Sequence, residues 1–346
     1  MIYDGLPGGA MKICVYGVGA IGGTLGYALA KAGHELSGVA RGATLAALRE
    51  KGLRFACGGE SGSVPVRAVE DSSELGPQDL VLLAVKATAL PEVAPRIAPL
   101  LGPGTVVMPA MNGVPWWFSS GLGGLLEGRP LRTVDPDGSI AAAVPAHRVL
   151  GCVVHLGASC PEPGLVRSLP LRRLIVGEPS GAATGRLAAV ASALRDSGFE
   201  VEESARIQRD IWYKLWGNMT MNPLSALTGA TMDRILDDPL VARFCVAVMS
   251  EARRIGSRIG CPIDQSEEDR MAISRSLGAF KTSMLQDVEA GRAIELDAIV
   301  ASVQEIGQLI GEPTPNIDIM LGLTRLKART LGLYPEDRPE AGPGLR

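Results

Sequence analysis

Apolar positions along the 346-residue chain change their spacing partway. In the first half they form short, nearly continuous runs separated by glycine- and proline-rich stretches, while beyond Arg206 they recur every three or four residues. The first pattern predicts strands buried in a parallel sheet, and the second predicts helices. After a glycine-rich leader, residues 12–16 read as a strand, residues 24–32 as a helix stopped by Gly33, and residues 35–40 as a second strand. Residues 79–85 form a buried-type strand that delivers Lys86 at its carboxyl end, and GTVVMPAMNGV forms another that delivers Asn112 and Gly113. Residues 115–148, with PWWF, GLGG and VDPDG, read as irregular and insertion-like. RVLGCVVHLGA and GLVRSLPLRRLIVGEP then read as two strands around the turn SCPEPG, an antiparallel addition to the sheet, with His155 a packed strand histidine. Helices are expected over residues 211–222, 240–259, 281–289, 294–310 and 317–331, punctuated by Gly260, Gly291 and Gly311. The expected organisation is an extension over residues 1–10, a doubly wound α/β domain over 11–205, a helical domain over 206–335 and a tail over 336–346.

One helical segment departs from a simple apolar stripe. In IWYKLWGNMTMNPLSAL, Lys214, Asn218 and Asn222 fall at i, i+4 and i+8, one stripe of one face, among Trp212, Leu215, Trp216, Met219 and Met221. Pro223 disfavours the α conformation at Asn222, so the helix is expected to end or kink there. An amine and two amides in such surroundings are enclosed polar groups that need partners. An amide ladder capping nearby backbone is the bland reading; a substrate-facing constellation is the other. Lys214 lies just past the domain junction, where a cleft is expected.

Composition narrows the function classes. With 46% hydrophobic and 21% charged residues, the chain can bury two cores and carries no sign of disorder. A net charge of −3 supplies no basic field for nucleic acid or anionic lipid. The six cysteines lack CxxC spacing and read as reduced thiols of a cytoplasmic protein. No apolar run is long enough to span a membrane, and the leader lacks a signal-peptide pattern. Three histidines without ligand spacing give no basis for a metal site.

The chemistry begins at the first turn. Gly17, Gly19 and Gly22 form G-x-G-x-x-G, with Ala20 and Ile21 opening the helix. Among 43 glycines such a match arises easily by chance. Between a strand and a helix it indicates a dinucleotide site, because glycines let the backbone approach a pyrophosphate and the helix N-terminus offers N–H groups. The second strand ends at Arg41, where an NAD enzyme usually places an acid. A guanidinium pairs with a 2′-phosphate, so NADP(H) is favoured over an exposed turn arginine with no such role. Lys86 and Asn112, at strand carboxyl ends, are expected to face the same crevice.

These residues together resemble the ketopantoate reductase (2-dehydropantoate 2-reductase) family. The likeness runs in order through GVGAIGG, VKA, MNG, KLWGNMTMNPLSAL and KTSMLQDVEAGRAIELDAI, and the last two stretches are the specific ones. The resemblance implies a Rossmann-type domain followed by an all-helical domain that pairs into a homodimer. It implies NADPH-dependent reduction of a 2-oxo acid to a 2-hydroxy acid on the route to pantothenate. Lys214 is then the candidate general acid, since a lysine in an apolar, partly desolvated cleft gives up its proton more readily. Asn218 and Asn222 are suited to the substrate's hydroxyl and carboxylate, or to holding the lysine in line. The resemblance assigns Glu295 to substrate binding beside the lysine and Ser283 to the carboxylate, and places Lys86 and Asn112 near the nicotinamide ribose and the carbonyl. Read from the residues alone, Ser283 is equally a helix-surface serine, and Glu295 an acid favoured by a helix N-terminus.

Departures from the family pattern bear on the substrate. Phe280 stands where the family often has asparagine, and Val300 and Ala301 where it often reads asparagine-glycine. A less polar pocket favours a 2-oxo acid bulkier than ketopantoate. Two alternatives stay open: a paralogue acting on another carbonyl or imine of secondary metabolism, and a non-catalytic NADP-binding regulator. Retention of both Lys214 and Glu295 argues against the regulator, which has no chemical need for an acid.

Overall fold

The computed structural model describes residues 9–336, so the expected tail and most of the leader lie outside the described residues. Two compact units emerge, one from residues 9–111 and 139–207, the other from residues 112–138 and 208–336.

The first unit runs β1 (Lys12–Tyr16), α1 (Ala20–Lys31), β2 (Glu35–Val39), α2 (Gly42–Lys51), β3 (Leu53–Cys57), β4 (Glu60–Val64), β5 (Arg67–Val69), β6 (Gln78–Leu83), α3 (Leu90–Val93), β7 (Leu101–Pro109), α4 (Ser139–Ala143), β8 (Gly151–Glu162), β9 (Leu165–Gly177), α5 (Gly185–Asp196) and β10 (Glu200–Glu203). Strands in the order β5-β2-β1-β6-β7 make a parallel sheet. β1 and β6 are nearly continuous apolar runs because parallel strands are covered on both faces.

A second sheet, β10-β9-β3-β4 with β8 antiparallel to β9, lies across α1 from the first. The glycines of α1 make this possible. A Cβ at Gly26 would sit 2.9 Å from Val15 of β1, and a Cβ at Gly23 would strike Val166 of β9. α1 is therefore clamped between two sheets, with Leu25 and Leu29 fully buried. Two expectations are corrected here. β8 and β9 do not extend the first sheet; β3, a strand not foreseen in the sequence, pairs parallel with β9 and holds the hairpin on the far side of α1. α1 also starts four residues early, at Ala20, because the turn runs straight into its first coil.

The second unit holds α6 (Ile207–Thr228), α7 (Met232–Asp237), α8 (Pro239–Arg258), α9 (Glu267–Ser276), α10 (Ser283–Glu289), a π-helical turn (Asp297–Ala301), α11 (Ser302–Ile310) and α12 (Pro315–Thr330). α6 does not end at Asn222. Pro223 lies inside it and removes only the N–H that would reach the Met219 carbonyl, while Leu224, Ser225 and Ala226 beyond it are buried. Burial of that extra turn outweighs the lost bond.

Residues 112–138 also depart from expectation, belonging to the helical unit rather than forming an insertion in the nucleotide unit. Phe118 is fully buried and packs on Trp212 with ring centroids 6.0 Å apart, and Gln208 Nε2 donates to the Ser120 carbonyl at 2.9 Å. The buried Glu305 carboxylate accepts from the backbone N–H groups of Arg132 and Thr133 at 2.7 and 2.9 Å. Among the described residues, no helix is long and apolar enough to cross a membrane.

Candidate functional site

In the first unit, growth of the parallel sheet reverses at β1, with β2 and β5 to one side and β6 and β7 to the other. Ligands of such sheets bind beyond the carboxyl ends at this reversal. The ends are tied together there: Gly17 N–H donates to the Val39 carbonyl at 3.2 Å and Ala84 N–H to the Tyr16 carbonyl at 2.9 Å. Gly17 has φ +95°, and a Cβ on it would sit 2.8 Å from Val85 Cγ1. A Cβ on Gly22 would run into the Gly17 carbonyl.

Gly19 differs from both. It is extended, precedes α1 with no side-chain cap, and a Cβ built on it meets nothing within 4 Å. The first turn of α1, with Ala20 and Ile21, carries no acid, and the space beside Gly19 ahead of it is open. A cradle of bare backbone at a helix N-terminus fits a dinucleotide pyrophosphate. Arg41 follows β2 with a half-exposed side chain whose Nη2 lies 2.8 Å from Glu92 Oε1. Lys86 is half-buried three residues beyond β6, and its carbonyl accepts from Ala89 N–H at 2.9 Å.

The second unit collects the other predicted residues. Trp212 and Trp216, each 1% exposed, donate their indole N–H groups to the Ala252 and Met249 carbonyls of α8. Those bonds set the rotation of α6, leaving Lys214 and Asn218 half-buried on another face, with Asn222 buried further along. Lys214 Nζ donates to Asn112 Oδ1 at 2.8 Å, a contact across 102 positions of sequence.

Asn112 is itself held from behind. Gly113 takes φ +87° and nests against Ala298, whose carbonyl accepts from Val114 N–H at 2.7 Å and from Ser302 Oγ at 2.9 Å. Ala298 lies in the π-helical turn that interrupts the expected helix over residues 294–310. Such turns recur at functional sites, and here the Ala298 carbonyl takes a partner from outside the helix, Val114 N–H. Glu295, half-buried, stands two residues before this turn, and its carbonyl accepts from Ile299 N–H at 3.2 Å.

Ser283 is exposed at the start of α10. The cap of that helix is the preceding Thr282, whose hydroxyl accepts from Leu285 N–H and shares a hydrogen bond with Ser225 Oγ of α6. Ser225 continues the stripe of Lys214, Asn218 and Asn222, so α10 is fastened to the same face. Ala298, Thr282 and Ser225 were missed by the sequence reading, which named Gly113 without its supporting role. The NG dipeptide signals a positive φ at Gly113, and Ser225 falls at i+3 from Asn222; nothing local marks Ala298. Of the departing residues, Phe280 is exposed and receives Met232 N–H at its carbonyl, whereas Val300 is completely buried and Ala301 half-buried.

Comparison with known proteins agrees with this assembly. Residues 13–181 match the ketopantoate reductase PanE/ApbA family model and residues 206–328 its C-terminal model. The 2-dehydropantoate 2-reductase of Mesorhizobium japonicum is 44% identical, over 94% of this chain and all of that protein. A crystal structure from Ralstonia solanacearum MolK2, described as a candidate ketopantoate reductase, superposes with TM-score 0.91 at 58% identity over 94% of this chain and all of that one. The 2-dehydropantoate 2-reductase of Geobacter metallireducens GS-15 gives TM-score 0.80 at 26% identity, covering 91% and 99% of the two chains. With both family models in sequence order on the units that carry the glycine cradle and the Lys214 stripe, the chain belongs to the ketopantoate reductase family.

Proposed function

We propose that this family member uses NADPH to reduce a 2-oxo acid to the 2-hydroxy acid, with Lys214 as general acid. The carrying observation is the Lys214–Asn112 hydrogen bond on a polar stripe flanked by buried Trp212, Leu215, Trp216 and Met219. The bound dinucleotide supplies the hydride. Gly17, Gly19, Ala20, Ile21 and Gly22 hold its pyrophosphate, Arg41 its 2′-phosphate, and Lys86 and Asn112 the nicotinamide end.

As charge builds on the carbonyl oxygen, a donor within hydrogen-bond reach must neutralise it. An ammonium has three N–H donors, and Asn112, an acceptor through Oδ1, aims the amine by engaging one of them. The proton leaves Nζ for the carbonyl oxygen, and Lys214 ends as the free amine. In this reading Asn218, Asn222 and Ser283 orient hydroxyl and carboxylate groups, and Glu295 binds the substrate beside the amine. Exposed Phe280, where the family pattern often has asparagine, supports a substrate with a larger apolar substituent than ketopantoate. The exposed stripe Ile319, Leu323 and Leu326 on α12 supports association into a homodimer, which sedimentation velocity measures.

The test is NADPH oxidation by the purified protein against a panel of 2-oxo acids including ketopantoate. Turnover of at least one of them is expected. No turnover across the panel, with NADPH bound normally, would overturn the 2-oxo acid reading and leave a reductase of another carbonyl or imine and the binding protein.

A further inference from the structure

The carboxylate on Arg41 is shared. Glu92 Oε1 lies 2.8 Å from Arg41 Nη2 and 3.5 Å from Arg96 Nη2, so one oxygen bridges two guanidiniums from separate connections of the sheet. Arg41 follows β2, while Glu92 and Arg96 lie one helical turn apart between β6 and β7. All three side chains are about half exposed. The cluster also lies near the end of β1, since Tyr16 pairs with Val39 of β2 two residues before Arg41; the Tyr16 phenol, its pKa raised mainly by burial, is drawn back down by Arg96 and then by Arg41. It therefore sits at the carboxyl edge of β1 and β2, where the adenosine ribose of a dinucleotide is held in this fold.

A carboxylate oxygen between two guanidiniums marks where an anionic oxygen is stable. A single shared oxygen uses few of the N–H groups of two guanidiniums, each of which carries five donors. A phosphate monoester brings three acceptor oxygens and nearly two negative charges, enough to engage each guanidinium through its own oxygen. Exposed ion pairs of the Glu92 kind are weak, so the phosphate can displace them.

We infer that Arg96 is a second guanidinium of the 2′-phosphate site, and that Glu92 is an internal carboxylate that keeps both arginines assembled and competes with the phosphate for them. The inference rests on the proposed pairing of Arg41 with the 2′-phosphate. It makes a prediction that pairing alone does not: removing an acid near the site strengthens cofactor binding. NADH has no phosphate to compete for, so its affinity is blind to the exchange.

Calorimetric titration of the full chain with NADPH and with NADH separates these ideas, using Arg41→Gln, Arg96→Gln and Glu92→Gln, with melting curves confirming that each variant folds. Arg96→Gln should weaken NADPH roughly tenfold, as loss of a charge-assisted contact does, and NADH by less than about twofold. Glu92→Gln should tighten NADPH by roughly two- to fivefold, the strength of an exposed ion pair, and leave NADH unchanged. Equal effects on both cofactors, or a Glu92→Gln variant that weakens NADPH, would overturn the inference. Arg41→Gln reports on the underlying reading. If it spares NADPH, the 2′-phosphate assignment falls; if it weakens NADPH while Arg96 and Glu92 are silent, only the second guanidinium and its competitor fall.

Discussion

Substitution Gly113→Ala strikes the support of the candidate acid without touching the acid. At φ +87° an L-residue is strained by about 1–2 kcal/mol. Its Cβ would lie 2.5 Å from the Ala298 carbonyl oxygen, 2.6 Å from the carbon and 2.7 Å from Cβ, where ordinary contact begins near 3.4 Å. None of these atoms is the tip of a flexible side chain, so the two backbones must part by about 1 Å. That strains or breaks the 2.7 Å bond from Val114 N–H to the Ala298 carbonyl, at a further cost of about 1–3 kcal/mol for a buried backbone group.

The total destabilisation is then about 2–5 kcal/mol, and Asn112, one residue away, moves relative to Lys214. A misplacement on the order of 1 Å costs about 10²-fold in rate. We therefore expect kcat for 2-oxo acid reduction to fall by roughly that factor. The alkaline limb of the rate profile should move to lower pH, because Asn112 accepts a bond from the protonated amine. Affinity for 2′-phospho-ADP-ribose, which lacks the nicotinamide that Asn112 meets, should stay within about twofold by calorimetry, since the glycine cradle lies in the other unit. Gly123→Ala is the matched control: it has φ +77° in the same segment, but nothing lies within 4 Å of its Cβ. It should lose stability from strain alone and keep its turnover. A folded Gly113→Ala with wild-type kcat and pH limb, or a Gly123→Ala equally slowed, would refute the reasoning.

Lys214→Ala should fold and bind NADPH but lose about 10²–10⁴ in turnover, and the wild-type rate should decline as rising pH deprotonates the amine; retention of turnover and of that limb would place the proton elsewhere. Arg41→Ala should weaken NADPH by about 1–3 kcal/mol and leave NADH nearly untouched, which parallel titrations check. In the substrate panel a 2-oxo acid with a larger apolar substituent should outperform ketopantoate, and Phe280→Asn should narrow the gap; ketopantoate as clear favourite of the wild type would show Phe280 to be neutral. Stability should depend on pH through half-buried His34, whose Nδ1 accepts the Met11 N–H at 3.1 Å and whose pKa burial holds below 6.5, with Asp196 partly opposing. The unfolded chain then binds more protons as acid is added, so this contribution is complete above pH 6.5 and is lost as pH falls through the lowered folded value. Urea titrations above and below pH 6.5 should show it, and should show less of it in His34→Gln, whose amide oxygen can accept the same N–H.

What the sequence determined by itself was local and periodic. The bounds of β1 at Lys12–Tyr16, the glycine turn after it and the arginine after β2 were legible because each depends on a few adjacent residues: an apolar run, positions needing no Cβ, and a charge in a fixed place. The stripe of Lys214, Asn218 and Asn222 was legible for the same reason, since a 3.6-residue period sets a face wherever a helix forms. Tertiary structure decided whatever depends on which segments come alongside one another. A sequence that pairs β9 with β8 does not say that β3 will take its other edge, nor that α1 has a second sheet to fill on its far side. Pro223 reads as a stop until burial of Leu224 to Ala226 outweighs one missing hydrogen bond. Residues 115–148 read as insertion-like until Phe118 finds Trp212 and Glu305 finds two backbone N–H groups, which ties 112–138 to the helical unit. The partners of Lys214 and Arg41 belong to this second class, because Asn112 lies 102 residues from the amine and Glu92 reaches Arg41 from a helix after β6. Spacing along the chain encodes faces and turns, whereas the contact that gives a charged group its chemistry is made across the fold, where pairing and close packing select the neighbour.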